Sequence, residues 1–182
     1  MKASAYVATS LNGFIARENG DLDWLPAGSG DDGEDYGYQA FMGSVDVLVM
    51  GRNTYEKVLT FAEWPYGDKT VVVLTSRLLE VPGHLSSSVS SMSGAPAEVV
   101  RRLAERRARH LYVDGGKTIQ GFLRAGLLHQ LTLPRVPVLI GSGIPLFGPL
   151  RGDIRLRHIE TRAFANGLVQ SKYEVLGPAP GS

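Results

Sequence analysis

Apolar positions in this chain fall into short runs rich in β-branched residues, with a different period between them. Residues 2–8, Val45–Met50, Thr70–Thr75, Leu111–Val113 and Val136–Ile140 read as strands. The middle runs are apolar almost without interruption, which suits strands covered on both faces, as in a parallel sheet. Helical periodicity separates the runs over residues 33–43, 53–60, 96–108 and 117–125. In the third helix, Val99, Val100, Leu103 and Ala104 form an apolar stripe, with Arg101, Arg102, Arg106 and Arg107 on the wet face opposite. Strand and helix alternate, so the expected class is α/β. The end of the chain changes character. Ile154–Ile159 alternates, Asn166-Gly167 is a hairpin turn signal, and Leu168–Leu176 reads as a second strand. A mostly parallel central sheet finishing in an antiparallel edge hairpin is the predicted architecture.

The chain has 182 residues, 43% hydrophobic and 20% charged, an ordinary globular composition. That length suits one domain, expected over residues 1–177, with 178–182 as a flexible tail. Ser86–Ser91 is the other low-complexity stretch. There are no cysteines, which removes disulfides, thiolate zinc sites and cysteine nucleophiles. A net charge of +1 gives no reason to expect nucleic acid or an anionic membrane. No apolar run approaches the ~18 residues of a membrane span. The first residues lack a signal-peptide core, so the expected location is cytoplasmic. Charge is nonetheless uneven: residues 1–68 carry 4 basic and 11 acidic side chains, and residues 69–182 carry 15 and 7. A basic second half suits a phosphorylated ligand.

Three strand-to-helix junctions carry candidate chemistry. In Met50-Gly51-Arg52-Asn53-Thr54-Tyr55-Glu56, glycine permits close backbone approach and the following helix offers free N–H groups to an anion. The same residues would serve equally as a turn glycine and an N-cap. Val113-Asp114-Gly115-Gly116-Lys117-Thr118 ends like a P-loop, but Leu111 stands where that motif needs its first glycine. The paired glycines still suit a pyrophosphate lying on backbone N–H groups. Thr75-Ser76-Arg77 offers two hydroxyls and a guanidinium at a strand's carboxyl end, a phosphate-monoester pocket or an ordinary turn. Ile140-Gly141-Ser142-Gly143-Ile144-Pro145-Leu146 fails as a dinucleotide fingerprint, because Leu146 replaces its last glycine. The four histidines, at 84, 110, 129 and 158, lack paired ligand spacing, and no metal site is expected. Asp31-Asp32-Gly33-Glu34-Asp35 reads as a loop and helix start, where carboxylates favour the dipole.

Taken in order, these motifs resemble the dihydrofolate reductase superfamily, and within it the C-terminal reductase domain of riboflavin-pathway deaminase-reductases in stand-alone form. Ser10-Leu11-Asn12-Gly13-Phe14-Ile15-Ala16 is similar to S-L-D-G-x-I-A, and Asp23-Trp24-Leu25-Pro26 to the family's mobile-loop segment. Met50–Glu56 matches M-G-R-x-T-[WY]-E, with Thr75-Ser76-Arg77 and Gly115-Gly116 following in place. Gly141–Phe147 resembles the G-x-G-x-P-L-F loop of the riboflavin-type branch rather than folate enzymes. The resemblance spans residues 2–176 and implies a three-layer fold and a reductase using NADPH. Without cysteine, the fused zinc deaminase is absent.

By that resemblance, Ala8 and Ile15 border the nicotinamide, and Gly51, Arg52, Asn53 and Thr54 hold phosphates. Ser76 and Arg77 meet the 2′-phosphate, with Thr75 beside them in the cofactor site, and Gly115, Gly116, Lys117, Thr118 and Ile119 cradle the pyrophosphate. Asp35 falls where folate enzymes carry the carboxylate that assists protonation. Asn12, in place of Asp, and Gln39, in place of a large apolar residue, depart from the pterin pattern. The implied substrate is a small heterocycle or a phosphoribosylamino compound. Pteridine reduction and nucleotide binding without turnover are the other readings. A homodimer is implied too, and the apolar terminal hairpin offers an edge for it.

Overall fold

The computed structural model describes residues 1–26 and 34–178. In chain order the strands are β1 (Lys2–Tyr6), β2 (Thr9–Ser10), β3 (Phe14–Ala16), β4 (Val47–Gly51), β5 (Thr70–Leu74), β6 (Val89–Met92), β7 (His110–Asp114), β8 (Gln130–Val136), β9 (Ile144–Pro145), β10 (Ile154–Ala163) and β11 (Val169–Pro178). The helices are α1 (Tyr38–Ser44), α2 (Arg52–Val58), α3 (Pro96–Glu105) and α4 (Gly116–Arg124). The main sheet runs β10-β11-β8-β1-β7-β4-β5-β6. From β8 to β6 neighbouring strands are parallel, while β11 is antiparallel to both β8 and β10. This is the expected α/β architecture. No helix among the described residues is long and apolar enough to cross a membrane.

Both faces of the central strands are covered, as their unbroken apolarity implies. On one face Ala3, Ala5, Val49, Val113 and Leu131 pack against Val99 and Leu103 of α3 and Ile119 and Phe122 of α4. On the other, Leu48, Met50, Val71 and Val73 meet Tyr55 and Val58 of α2, with Phe41 and Met42 of α1 at the margin. Ile119 and Phe122 are wholly buried, each worth about 1.5–3 kcal/mol of transfer free energy. Pro96, at the first position of α3, supplies no N–H where none is needed. Ala104 lies outside the buried stripe, and α3 closes at Glu105 as Arg107 turns left-handed with φ 64.

Besides the short strands β2, β3 and β9, which the pattern does not mark, three elements differ from the pattern-based expectation. The strand expected at Val136–Ile140 is instead β8, Gln130–Val136, which contains Pro134. Proline is tolerated because β1 pairs with Gln130–Thr132 and β2 with Arg135–Val136, so Pro134 lies in the gap between them. The serine-rich stretch yields β6, an edge strand in which Val89 and Met92 are buried and Ser90 and Ser91 exposed. The first helix starts at Tyr38, because Tyr36 and Gly37 are left-handed with φ 56 and 78. Of the acidic group before it, Asp31, Asp32 and Gly33 lie outside the described residues, as do residues 179–182 of the expected tail. The hairpin turn falls at Asn166-Gly167 as expected, with Gly167 at φ 82 and Phe164 N–H bonded to Leu168 O at 2.9 Å.

Candidate active site

The carboxyl ends of β1, β4, β5 and β7 open into one cleft of about 1080 Å³. Parallel strands put these ends side by side, and the chain leaves each through a glycine or a short loop. The cleft gathers Ala8, Ile15, Gly51, Arg52, Asn53, Thr54, Gly115, Gly116, Lys117 and Thr118, ten of the residues singled out by sequence. Ile119 sits behind it in the core and holds α4 to the sheet. Thr75, Ser76 and Arg77 begin where Leu74 leaves the wall and do not line the cleft. There the Thr75 hydroxyl accepts the Arg77 N–H at 3.2 Å, closing a tight turn. Asp35 also stands off the wall, and its neighbour Tyr38 lines it instead.

The two glycine junctions interlock. Gly115 is left-handed at φ 86, and a Cβ there would run into the Thr54 hydroxyl. A Cβ on Gly51 would approach Thr118 Oγ1 to 3.2 Å, and one on Gly116 would reach Ile15 Cδ1 at 3.0 Å. Gly51 and Gly115 are the residues before α2 and α4, and neither helix start has a side-chain cap. Their first-turn N–H groups are thus left for an outside acceptor. Arg52 is fixed beside them by Glu56 Oε1 at 2.6 Å and Leu78 O at 2.8 Å.

A strap covers the opposite side. Residues 17–25 lie over the cleft, with Leu22 and Leu25 facing in. Arg17 Nε meets Asp23 Oδ1 at 2.5 Å within the strap, and Lys57 Nζ on α2 meets Asp21 Oδ1 at 2.9 Å.

At the cleft floor is a titratable group to which the sequence motifs assigned no role. Asp114 ends β7, in the middle of the sheet. Its Oδ1 accepts the Gly115 N–H at 2.7 Å and its Oδ2 the Tyr66 hydroxyl at 3.3 Å. Burial raises its pKa above the ordinary carboxylate range, and those two bonds only partly oppose the shift. Tyr38, Tyr66 and Tyr112 surround it, their hydroxyls also held protonated chiefly by burial. The available sequence signal was an acid at the end of a buried strand, directly before the glycine pair. Asp35 behaves oppositely: its carboxylate accepts the N–H groups of Gly37 at 2.9 Å and Gln39 at 2.8 Å. Those bonds lower its pKa, and they satisfy donors at the start of α1.

Comparison with known proteins agrees with this geometry. The chain is 33% identical over 170 residues to YwjB of Bacillus subtilis strain 168, covering 92% of this chain and 94% of that protein. A putative riboflavin biosynthesis protein from Shewanella sp. PV-4 superposes with a TM-score of 0.90 at 38% identity, covering 96% of this chain and 99% of the other. Dihydrofolate reductase from Enterococcus faecalis, solved with NADP(H), shares the fold at a TM-score of 0.68 and 16% identity, covering 96% of each chain. The family model of the RibD C-terminal domain matches residues 3–170, and the chain belongs to that family.

Proposed function

We propose that this protein is an NADPH-dependent reductase of a small heterocyclic substrate. The carrying observation is the interlocked pair of uncapped glycine junctions facing one cleft. Free N–H groups at two helix starts, with no Cβ between them and the cleft, suit a pyrophosphate. Gly115, Gly116, Lys117 and Thr118 hold it from α4, with Ile119 anchoring that helix. Gly51, Arg52, Asn53 and Thr54 hold phosphates from α2. Thr75, Ser76 and Arg77, just beyond Leu74, meet the 2′-phosphate. Ala8 and Ile15 border the nicotinamide, which when bound supplies the hydride.

The chain itself positions the substrate and manages the proton. Burial raises the pKa of Asp114 and so favours its protonated form, and Tyr66 orients its carboxyl group. From there it donates to a nitrogen or oxygen next to the carbon being reduced, so hydride and proton together complete one two-electron reduction. Asp35 acts one step removed, by fixing the start of α1 and thereby placing Tyr38 in the wall. This reading puts the protein in the cytoplasm, where reduced nicotinamide cofactors are regenerated.

We also propose a homodimer, supported by β10, whose length of ten residues lies at the sheet edge and is exposed for nearly all of it. Light scattering that returns 19.7 kDa at all concentrations would refute the dimer.

The test of function is NADPH absorbance loss with a panel of pyrimidine and pteridine substrates. NADPH binding without substrate-dependent oxidation would favour a nucleotide-binding protein without turnover.

A further inference from the structure

The outer strands β8 and β11 turn apolar residues to one face, where Leu131, Leu133, Tyr173 and Val175 join the core under α3 and α4. The opposite face is polar. Strand pairing sets Tyr6, Thr132, Lys172 and Glu160 side by side across β1, β8, β11 and β10. Gln170 stands opposite Arg162 two residues further on, and so on the same face. Against this floor, α1 and the residues before it form a wall, leaving a groove of about 420 Å³. Among the described residues, Tyr6 alone lines both the groove and the cleft.

The two sides of the groove differ in chemistry. Toward α1 stand the rings of Tyr6, Tyr36 and Phe41, with Tyr6 and Phe41 centred 5.3 Å apart. Across from them Lys2, Lys172 and Arg162 line the groove, and among the described residues their one carboxylate there is Glu160. Glu160 lies 3.8 Å from Lys172 Nζ and 3.7 Å from Arg162 Nε, beyond hydrogen-bond reach of either. Among the described residues no carboxylate forms an ion pair with Lys2. Burial and the charge of Lys172 both lower its pKa. Like charges brought together on a sheet are unfavourable, and an anion between them removes the cost. His110 is not a further cation. Its ring nitrogens are engaged by Ser44 O at 2.9 Å and Ser4 Oγ at 2.8 Å, and burial lowers its pKa. The groove is also pre-formed: the Tyr6 hydroxyl donates to Tyr36 O at 3.0 Å, and Asn166 Nδ2 donates to the Tyr36 hydroxyl at 2.7 Å.

We propose that this groove is a second small-molecule site, separate from the cleft, for a planar aromatic ring carrying one anionic group. The ring lies against Tyr6, Tyr36 and Phe41, and the anion lies among Lys2, Lys172 and Arg162. Carboxylate and phosphate share this chemistry. The volume falls within the range of about 300–1,000 Å³ usual for ligand sites. Arg162 adds a forked donor suited to either anion. A dimer formed edge to edge through β10 leaves this face of the sheet free. The proposal does not depend on the reductase reading.

The full chain is titrated with phenyl phosphate, benzoate, inorganic phosphate and benzamide, reading Kd by calorimetry and location by amide NMR shifts. At least one aromatic anion should bind more tightly than both inorganic phosphate and benzamide, with shifts at Thr132, Gln170 and Lys172. The order of phenyl phosphate and benzoate then identifies the preferred anion. Lys172→Gln should weaken that binding by about tenfold or more, the usual worth of a charge-assisted bond. Glu160→Gln should tighten it, a gain that a damaged fold does not produce. Shifts confined to Gly51 and Gly115 overturn the proposal, as does affinity no greater than that of inorganic phosphate or benzamide. Absence of binding by both aromatic anions, or unchanged affinity in the two variants, overturns it as well.

Discussion

A single methyl group distinguishes the roles of the two adjacent glycines. At Gly115 it would have to adopt φ 86 and collide with Thr54, so Gly115→Ala should destabilise folding by about 1–3 kcal/mol in urea titrations. At Gly116 its nearest neighbour is the flexible end of Ile15, which can yield toward the cleft. Gly116→Ala should therefore fold nearly normally and lose about tenfold in NADPH affinity, equivalent to about 1.4 kcal/mol. Normal affinity with reduced stability would make Gly116 a structural corner only. Asp114 gives a pH signature. Its raised pKa means the folded chain keeps a proton that the unfolded chain releases above the ordinary value of 3.8. Stability from this group therefore falls as pH rises through the window between 3.8 and the raised value. Relative to wild type, Asp114→Asn should gain stability across that window and match it below, in denaturation curves taken at several pH values. The glycine junctions were legible in sequence because strand, glycine and helix start are neighbours along the chain. The Asp114 cluster was not, because Tyr112 is its neighbour along β7 but Tyr38 and Tyr66 meet it only through the sheet and the loops around it.

At the level of elements, α1 shows how local chemistry overrides periodicity. The apolar spacing suggests a helix over 33–43, yet left-handed Tyr36 and Gly37 delay it to Tyr38. A Cβ on Gly37 would meet nothing within 4 Å, so Gly37→Ala should lose only the conformational term, about 1–2 kcal/mol, by chemical denaturation. Asp35→Asn weakens the same helix start through its bonds to Gly37 and Gln39. If positioning is its whole role, NADPH affinity should be unchanged and turnover should fall far less than the ~10²-fold typical of a lost proton donor. A loss of that size with intact folding would restore Asp35 as the proton donor. The displaced β8 has a different origin. Pro137 lies inside the apolar run that resembled a strand, and the true strand, which ends at Val136, is recognisable only once the gap between β1 and β2 accounts for Pro134. Similarly, β6 has just two buried side chains, too few to stand out from a run of serines.

Across the whole molecule, the uneven charge acquires a location. The acidic first 68 residues supply the strap and α2, while α4 and its lysine come from the basic remainder. Strap and α2 are joined by the exposed Lys57–Asp21 pair, a contact of the kind worth no more than about 1 kcal/mol and weakened by salt. NADPH at 100 times its Kd should add about 2.7 kcal/mol to unfolding, read as a rise in melting temperature. An unchanged melt under those conditions would argue against cofactor binding by the folded chain.

The pairing of β1 has a consequence for how the protein is made. Ala3 pairs with Leu111 and Ala5 with Leu131, so the strand that leaves the ribosome first waits for partners synthesised far later. Until Gln130–Val136 has emerged, Lys2–Tyr6 cannot acquire both neighbours, and its apolar face and hydrogen-bonding edges remain available to chaperones or to other nascent chains. A ribosome stalled between β7 and β8 would hold a sheet open at the very strand that leads into the cleft. Completion of the cleft is thus a late event in synthesis, set by the order of strands rather than by any residue that lines it.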